Sequence, residues 1–298
     1  MLDSFDPRWS DSRERDAHDE RDRETYRDSR ERGDDPRDAL LNDLDLPRGL
    51  ERELVLDRDH VYELNGDDSR MLAAVGAFRV VPERDLDSRD DGLDPRSDSL
   101  DYLVEEGLLR TISLDGHDRG VVLTDRGHDL LEANRRVRDD ERQQEFYAGV
   151  NRPRELSHDA QLYRAYLETE TRLRDEGAEI QRVVLEHELK REYQSFLQEH
   201  NRDRPDSDGR PDRDAREIAQ WAQEHELPYF DERVHFPDAR IEYELDGRER
   251  HEDIEVLTPH YRGAHAATRA RSGFRCVRVH TGGRSGRTFD PRLAEELI

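Results

Sequence analysis

The chain is poor in several things at once. It has a single cysteine, Cys276, which excludes an internal disulfide and any cysteine-rich zinc site. Lysine occurs once, at Lys190, and arginine supplies every other fixed positive side chain. Hydrophobic residues make up 32% of the 298 positions and aromatic residues 7%, against 41% charged. So polar a chain cannot carry one core through its whole length, and part of it is expected to be disordered. No apolar run approaches the length of a membrane span. The opening MLDSFDPRWSDSRERD lacks the apolar centre of a signal peptide. The composition therefore reads as a cytoplasmic protein without a membrane partner.

What is abundant is charge of both signs, with acids in excess. The net charge of −25 opposes indiscriminate binding to a phosphate backbone. The near-exclusive use of arginine fits a GC-rich genome or a salt-adapted surface, so the distribution of charge says more than its sum.

Residues 1–47 form a charged segment, typified by DSRERDAHDERDRETYRDSRERGDDPRD, and are expected to be disordered. Residues 48–140 read as a first domain. MLAAVGAFRVV (71–81) fits a helix, and Pro82 fits the first position of a short second one. DSLDYLVEEGLL (98–109) places Leu100, Leu103, Val104 and Leu108 at helical spacing, with Gly107 to end the turn. RTISL and GVVLT flank LDGHDR as a hairpin. Thr124 then caps a closing helix from about Asp125 towards Arg138, with Gly127 allowing close approach to the strand.

Three helices, a hairpin and a helix, with LT-x-x-G-x-x-LL after the hairpin, resemble a winged helix-turn-helix domain. The resemblance implies a DNA-reading helix over 98–109. That helix carries Asp98, Asp101, Glu105 and Glu106, and the wing carries Asp115 and Asp118, so both surfaces repel DNA. Arg135, Arg136 and Arg138 are the better phosphate candidates. A winged helix that binds protein is the alternative.

Residues 141–157 read as a linker that packs back on its neighbour, and 158–298 as a second, α/β domain. Helices are expected from Ser157 to Arg174, over HELKREYQSFLQEH and over AREIAQWAQEHE, with a strand at EIQRVVL. The most informative stretch is HFPDARIEYELDGRERHEDIEVLT, 235–258. Ile241, Tyr243 and Leu245 alternate with Arg240, Glu242 and Glu244, DGR turns the chain, and Ile254 and Val256 alternate with Asp253 and Glu255. This is a β-hairpin with one apolar and one acidic face. A helix, YRGAHAATRARSGF, and a strand, RCVRVH, are expected to follow.

Pro-Asp before one strand and a Glu in the next, then helix and strand, resemble the core of PD-(D/E)xK nucleases, with a mixed sheet. The resemblance implies catalytic Asp238 and Glu255, a divalent Mg2+ or Mn2+ held by Asp238, Asp253 and Glu255, and a lysine that assists. The lysine position holds Leu257, so Lys190 is the remaining candidate, with Glu188 as a further acid on the same helix. The plainer alternative is an exposed acidic hairpin face.

Charge patterning adds an independent element. Between His260 and Arg292 lie eight arginines, among them Arg262, Arg269, Arg271, Arg284 and Arg287, against one acid, Asp290. TGGRSGRT suits phosphate contact. A winged helix followed by a degenerate PD-(D/E)xK-like domain is similar to the replication-relaxation proteins of plasmids and conjugative elements. The resemblance implies a DNA-associated role in replication or mobilisation, with DNA as partner and a relaxase or replication protein beside it. A metal-dependent DNA nuclease and a protein-interaction module are the alternatives.

Overall fold

The computed structural model describes residues 35–58, 60–86, 95–114, 118–137, 142–150, 156–199, 213–257, 271–278 and 287–288. It is a mixed α+β structure with several sheets. The disorder expected over 1–34 and the helix expected over 261–270 lie outside these residues.

The first half opens with an antiparallel hairpin that sequence patterning passed over, β1 (Glu53–Asp57) and β2 (His60–Leu64). Helix α1 (Gly66–Phe78) starts where Asn65 accepts from the Asp68 backbone and the Asp68 carboxylate accepts from the Asn65 backbone. Strand β3 (Val81–Pro82), helix α2 (Glu83–Leu86), helix α3 (Pro95–Glu105), strands β4 (Leu109–Ser113) and β5 (Arg119–Leu123) and helix α4 (Asp125–Ala133) follow. Pro82 thus belongs to a strand instead of opening a helix. It sits opposite Gly120 on the edge strand of the sheet β3-β5-β4, where a missing N–H is tolerated.

The β5–α4 junction follows the local chemistry. Thr124 accepts from the Gly127 backbone at 3.1 Å, and a Cβ on Gly127 would lie 2.3 Å from the Leu108 carbonyl oxygen, so only glycine fits. Helix α4 stops short of Arg138. Asn134 returns its side chain to the Leu130 carbonyl, and Asp45 and Asp43 engage the backbone of Asn134 and Arg136. That pulls the chain off the helical path.

The second half has helix α5 (Leu156–Asp175), strand β6 (Glu179–Leu185), helices α6 (Glu186–Gln198) and α7 (Ala215–Glu224) and the short strands β7 (Tyr229–Phe230) and β8 (Arg233–Val234). The long hairpin β9 (Ala239–Leu245) and β10 (Arg248–Val256) is followed by β11 (Arg275–Arg278) and β12 (Arg287–Thr288). The sheet order is β12-β11-β10-β9-β6, antiparallel except where β10 meets β11. Asp246 and Gly247 both have positive φ, 56° and 70°, the pattern of a two-residue hairpin turn.

One apolar cluster runs through both halves. It joins Leu64, Met71, Phe78, Leu123 and Leu131 to Tyr163, Tyr166, Ile180, Ile241 and Val256. Phe78 of α1 packs its ring 5.3 Å from Tyr163 and 5.0 Å from Tyr166 of α5. One expectation needs correction here, and the packing expected of the linker is found. Residues 35–47 are ordered: Leu40, Leu41, Leu44 and Leu46 are buried in that core, because their apolar side chains find α1 and β6 to cover them. Asp35 and Arg37 form a buried pair beside Arg70 and Asp38. Residues 142–150 are packed as well. Phe146 is buried, Tyr147 and Gly149 donate to the carbonyls of Gly76 and Leu123, and Gln144 exchanges two hydrogen bonds with the Val183 backbone.

Candidate functional site

The two-residue turn fixes the register of β9–β10, setting Arg240 opposite Asp253 and Ala239 opposite Ile254. Asp238 lies one residue before β9 and Glu255 one residue beyond Ile254, so the two acids sit on neighbouring chains at the same end of the hairpin. The opposite face, with Ile241, Ile254 and Val256, belongs to the main core.

Asp238 is a junction. Its carbonyl accepts from the Glu186 backbone at the start of α6. Its carboxylate accepts from the Val256 backbone at 2.8 Å and lies 3.2 Å from His158 Nε2 in the first turn of α5. Burial lowers the affinity of His158 for a proton, but the hydrogen bonds and charges of Asp159 and Asp238 outweigh it and hold the imidazole at about 10. At neutral pH an imidazolium therefore faces Asp238.

The other two expected ligands are arranged differently. Asp253 is held by the Arg240 guanidinium through two hydrogen bonds, 2.7 and 3.0 Å, a bidentate pair with both side chains largely buried. Glu255 is fully buried. Among the described residues no three His, Cys, Asp or Glu side chains are grouped so that they could hold a metal ion. Asp238, Asp253 and Glu255 thus form no such group, and two of them already have a basic partner, His158 for Asp238 and Arg240 for Asp253. These residues do not fit a divalent metal as ligands. Lys190 is half exposed and pairs with Glu186 one turn earlier on α6, at 2.5 Å.

A second titratable group lies where the two halves meet. The Tyr147 hydroxyl is 2.6 Å from Glu188 and 2.9 Å from Glu145. One hydroxyl has one hydrogen, so two ionised carboxylates cannot both be served by it. Burial, with the Glu145 charge adding to it, lifts Glu188 to about 7, against hydrogen bonds from Tyr147 and the Leu185 backbone. His187 beside it is pushed down to about 4 by burial and by the charge of Arg79.

The arginine candidates also have internal partners. Arg135 is bound to Glu132 and to the Gln144 carbonyl, and its guanidinium lies over the Phe146 ring. Arg136 is half exposed, 4.0 Å from Asp45. Arg271 pairs with Asp231 and lies over Phe230. Arg287 belongs to β12 by its backbone. Arg138, Arg262, Arg269 and Arg284 lie outside the described residues. On α3, expected from the sequence as the reading helix, Tyr102 accepts from the Glu63 backbone, and Glu106 just past its end is 3.1 Å from His60, so β1–β2 covers part of it.

Sequence reasoning missed Arg240 as the partner of Asp253, although the Asp-Gly turn fixes that register. It also missed His158 and Tyr147, whose partners are remote in sequence and carry no local signal. Among the described residues no helix is long and apolar enough to cross a membrane. Compared with known proteins, the chain matches no family model, no curated protein and no solved structure.

Proposed function

We propose that the chain is a DNA-associated protein of a mobile element, acting in replication, mobilisation or their control, and that it does not cleave DNA. In this reading the segment from α1 to α4 is a winged helix, and α5, β6, β9, β10 and β11 are a nuclease-like scaffold. The order helix, strand, helix, helix, hairpin, helix supports the first part. An antiparallel β6-β9-β10 meander with a parallel β11 beside it supports the second.

The observation that carries the non-cleaving reading is the neutralisation of the acids. Asp238 faces a protonated His158, Asp253 is clamped by Arg240, and the position two after Glu255 is Leu257. A metal would have to displace two internal cations and would lack the lysine that stabilises developing charge. The acidic α3, partly covered by β1–β2, argues that contact with DNA runs through the arginine-rich stretch after residue 260. Purified protein incubated with supercoiled and linear DNA and Mg2+ or Mn2+ should leave both intact. It should also bind duplex with an affinity that falls steeply with salt and drops in Arg284→Glu/Arg287→Glu. Cleavage that disappears in Asp238→Ala would establish the nuclease instead, and binding unchanged in the arginine variant would remove that stretch as the contact.

A further inference from the structure

Among the described residues, the outer face of hairpin β1–β2 is largely aliphatic and exposed. Leu50, Leu54, Leu56 and Val61 are 64%, 74%, 65% and 51% exposed, in a chain where charged residues outnumber hydrophobic ones. The register puts Leu56 opposite Val61 and Leu54 opposite Glu63 on this face, while Val55 pairs with Tyr62 on the inner face. Apolar side chains on both faces are the pattern of a strand covered on both sides. Scattered exposed leucines need no explanation, but Leu54, Leu56 and Val61, brought together on one face, form a patch of the kind that marks an interaction surface.

The platform is fixed. Val55, Tyr62 and Leu64 are buried in the main core. The Glu63 backbone donates to Tyr102, Arg52 lies 4.5 Å over the Tyr102 ring, and Arg126 lies 5.3 Å over the Tyr62 ring. Among the described residues the hairpin is its own two-stranded sheet, and each strand has an outer edge that no described strand pairs with.

The rim decides the occupant. Glu63 is exposed on this face, opposite Leu54, and Glu51 and Glu53 are exposed at the same end of the hairpin. The two arginines of the hairpin already have acids as partners, Arg52 the buried Asp68 and Arg58 the half-exposed Asp129. A second copy would set acid against acid, on chains that each carry −25. A partner with arginine or lysine beside its own aliphatic stripe satisfies both the centre and the rim. We propose that the outer face of β1–β2 docks a basic amphipathic segment of another protein. The inference is independent of any contact with DNA.

The test uses the full chain and a labelled amphipathic peptide of leucine and arginine, about 18 residues or five helical turns long. Binding is read by fluorescence anisotropy near physiological ionic strength of ~0.15 M. The comparison is with Leu54→Asp/Leu56→Asp, whose substituted positions are exposed, with circular dichroism to verify that the fold is kept. Wild type should bind, and the double variant should bind at least roughly tenfold more weakly. The variant adds two negative charges, so attraction by overall charge alone would tighten binding, which separates the two explanations. Equal or tighter binding by the variant overturns the proposal, as does absence of binding to wild type. Sedimentation showing a wild-type dimer that the double variant dissolves would give the face to a second copy, and would equally overturn it.

Discussion

Hairpins β1–β2 and β9–β10 are both antiparallel, and in each successive side chains alternate between two faces, but β1–β2 has three charged and five aliphatic residues in ten and β9–β10 nine charged and five aliphatic residues in sixteen. Their surroundings reverse what the alternation means. In β9–β10 the apolar face enters the main core, and the charged face is covered too, so that Asp253, Arg240 and Glu255 are largely or fully buried. In β1–β2 the inner face is buried and the outer face is aliphatic and open. Alternation separates two faces of a strand. It does not say which of them water reaches, because that depends on elements remote in sequence.

The contrast breaks most visibly at Arg240. Replacing it with alanine leaves Asp253 in a covered position without its bidentate partner. Thermal or urea unfolding of Arg240→Ala should show a loss of about 3–5 kcal/mol, the range for breaking a buried ion pair by removing one member. A loss below about 1 kcal/mol would mean that water serves Asp253, and that the two hairpins differ less than their burial indicates.

An intermediate effect should come from pH, through His158. Its pKa is raised in the folded chain, so its contribution is complete below its ordinary value of 6.5 and is lost as pH rises through about 10. Glu188, raised to about 7, removes stability as pH rises from 4.5 through that value. His187, lowered to about 4, works in the other direction up to 6.5, so the two largely offset each other below neutrality. Stability should therefore decline from near neutral pH towards 10, by about 1.5–3 kcal/mol, and His158→Gln should flatten the decline. An unchanged slope in the variant would show that the charged pair with Asp238 contributes nothing.

The smallest effect belongs to the open face. Leu54→Ser removes a side chain that water already reaches, and should alter stability by no more than about 0.5 kcal/mol. A larger loss would show that the face is covered in solution.

Local chemistry was legible wherever a residue acts on its near neighbours. Thr124 and Gly127, the Asp246-Gly247 turn and the glycine after α3 are of this kind, and each is found where the pattern puts it. The misses share a physical cause. Residues 35–47 look like the acidic segment before them, yet four leucines are enough to insert them into a core supplied by α1 and β6. Residues 142–150 pack back as expected of them, but their partners, Gly76, Leu123 and Val183, were not legible because none is nearby in sequence. At the candidate site Asp238 and Glu255 were legible as neighbours. The imidazolium that neutralises Asp238 comes from a helix 80 residues earlier, and nothing around Asp238 announces it.

The segment that carries Gln144, Phe146 and Tyr147 sits between the two halves like a key in a lock. Its consequence concerns inheritance. A recombination event that kept only one half would leave Phe78, Tyr163 and Tyr166 facing water and would strip Val183 of its amide partner. Neither piece would then be a ready-made module for another gene. Whatever the two halves do, they can be expected to travel through genomes as a single cargo, and to change sequence in step along the surface they share.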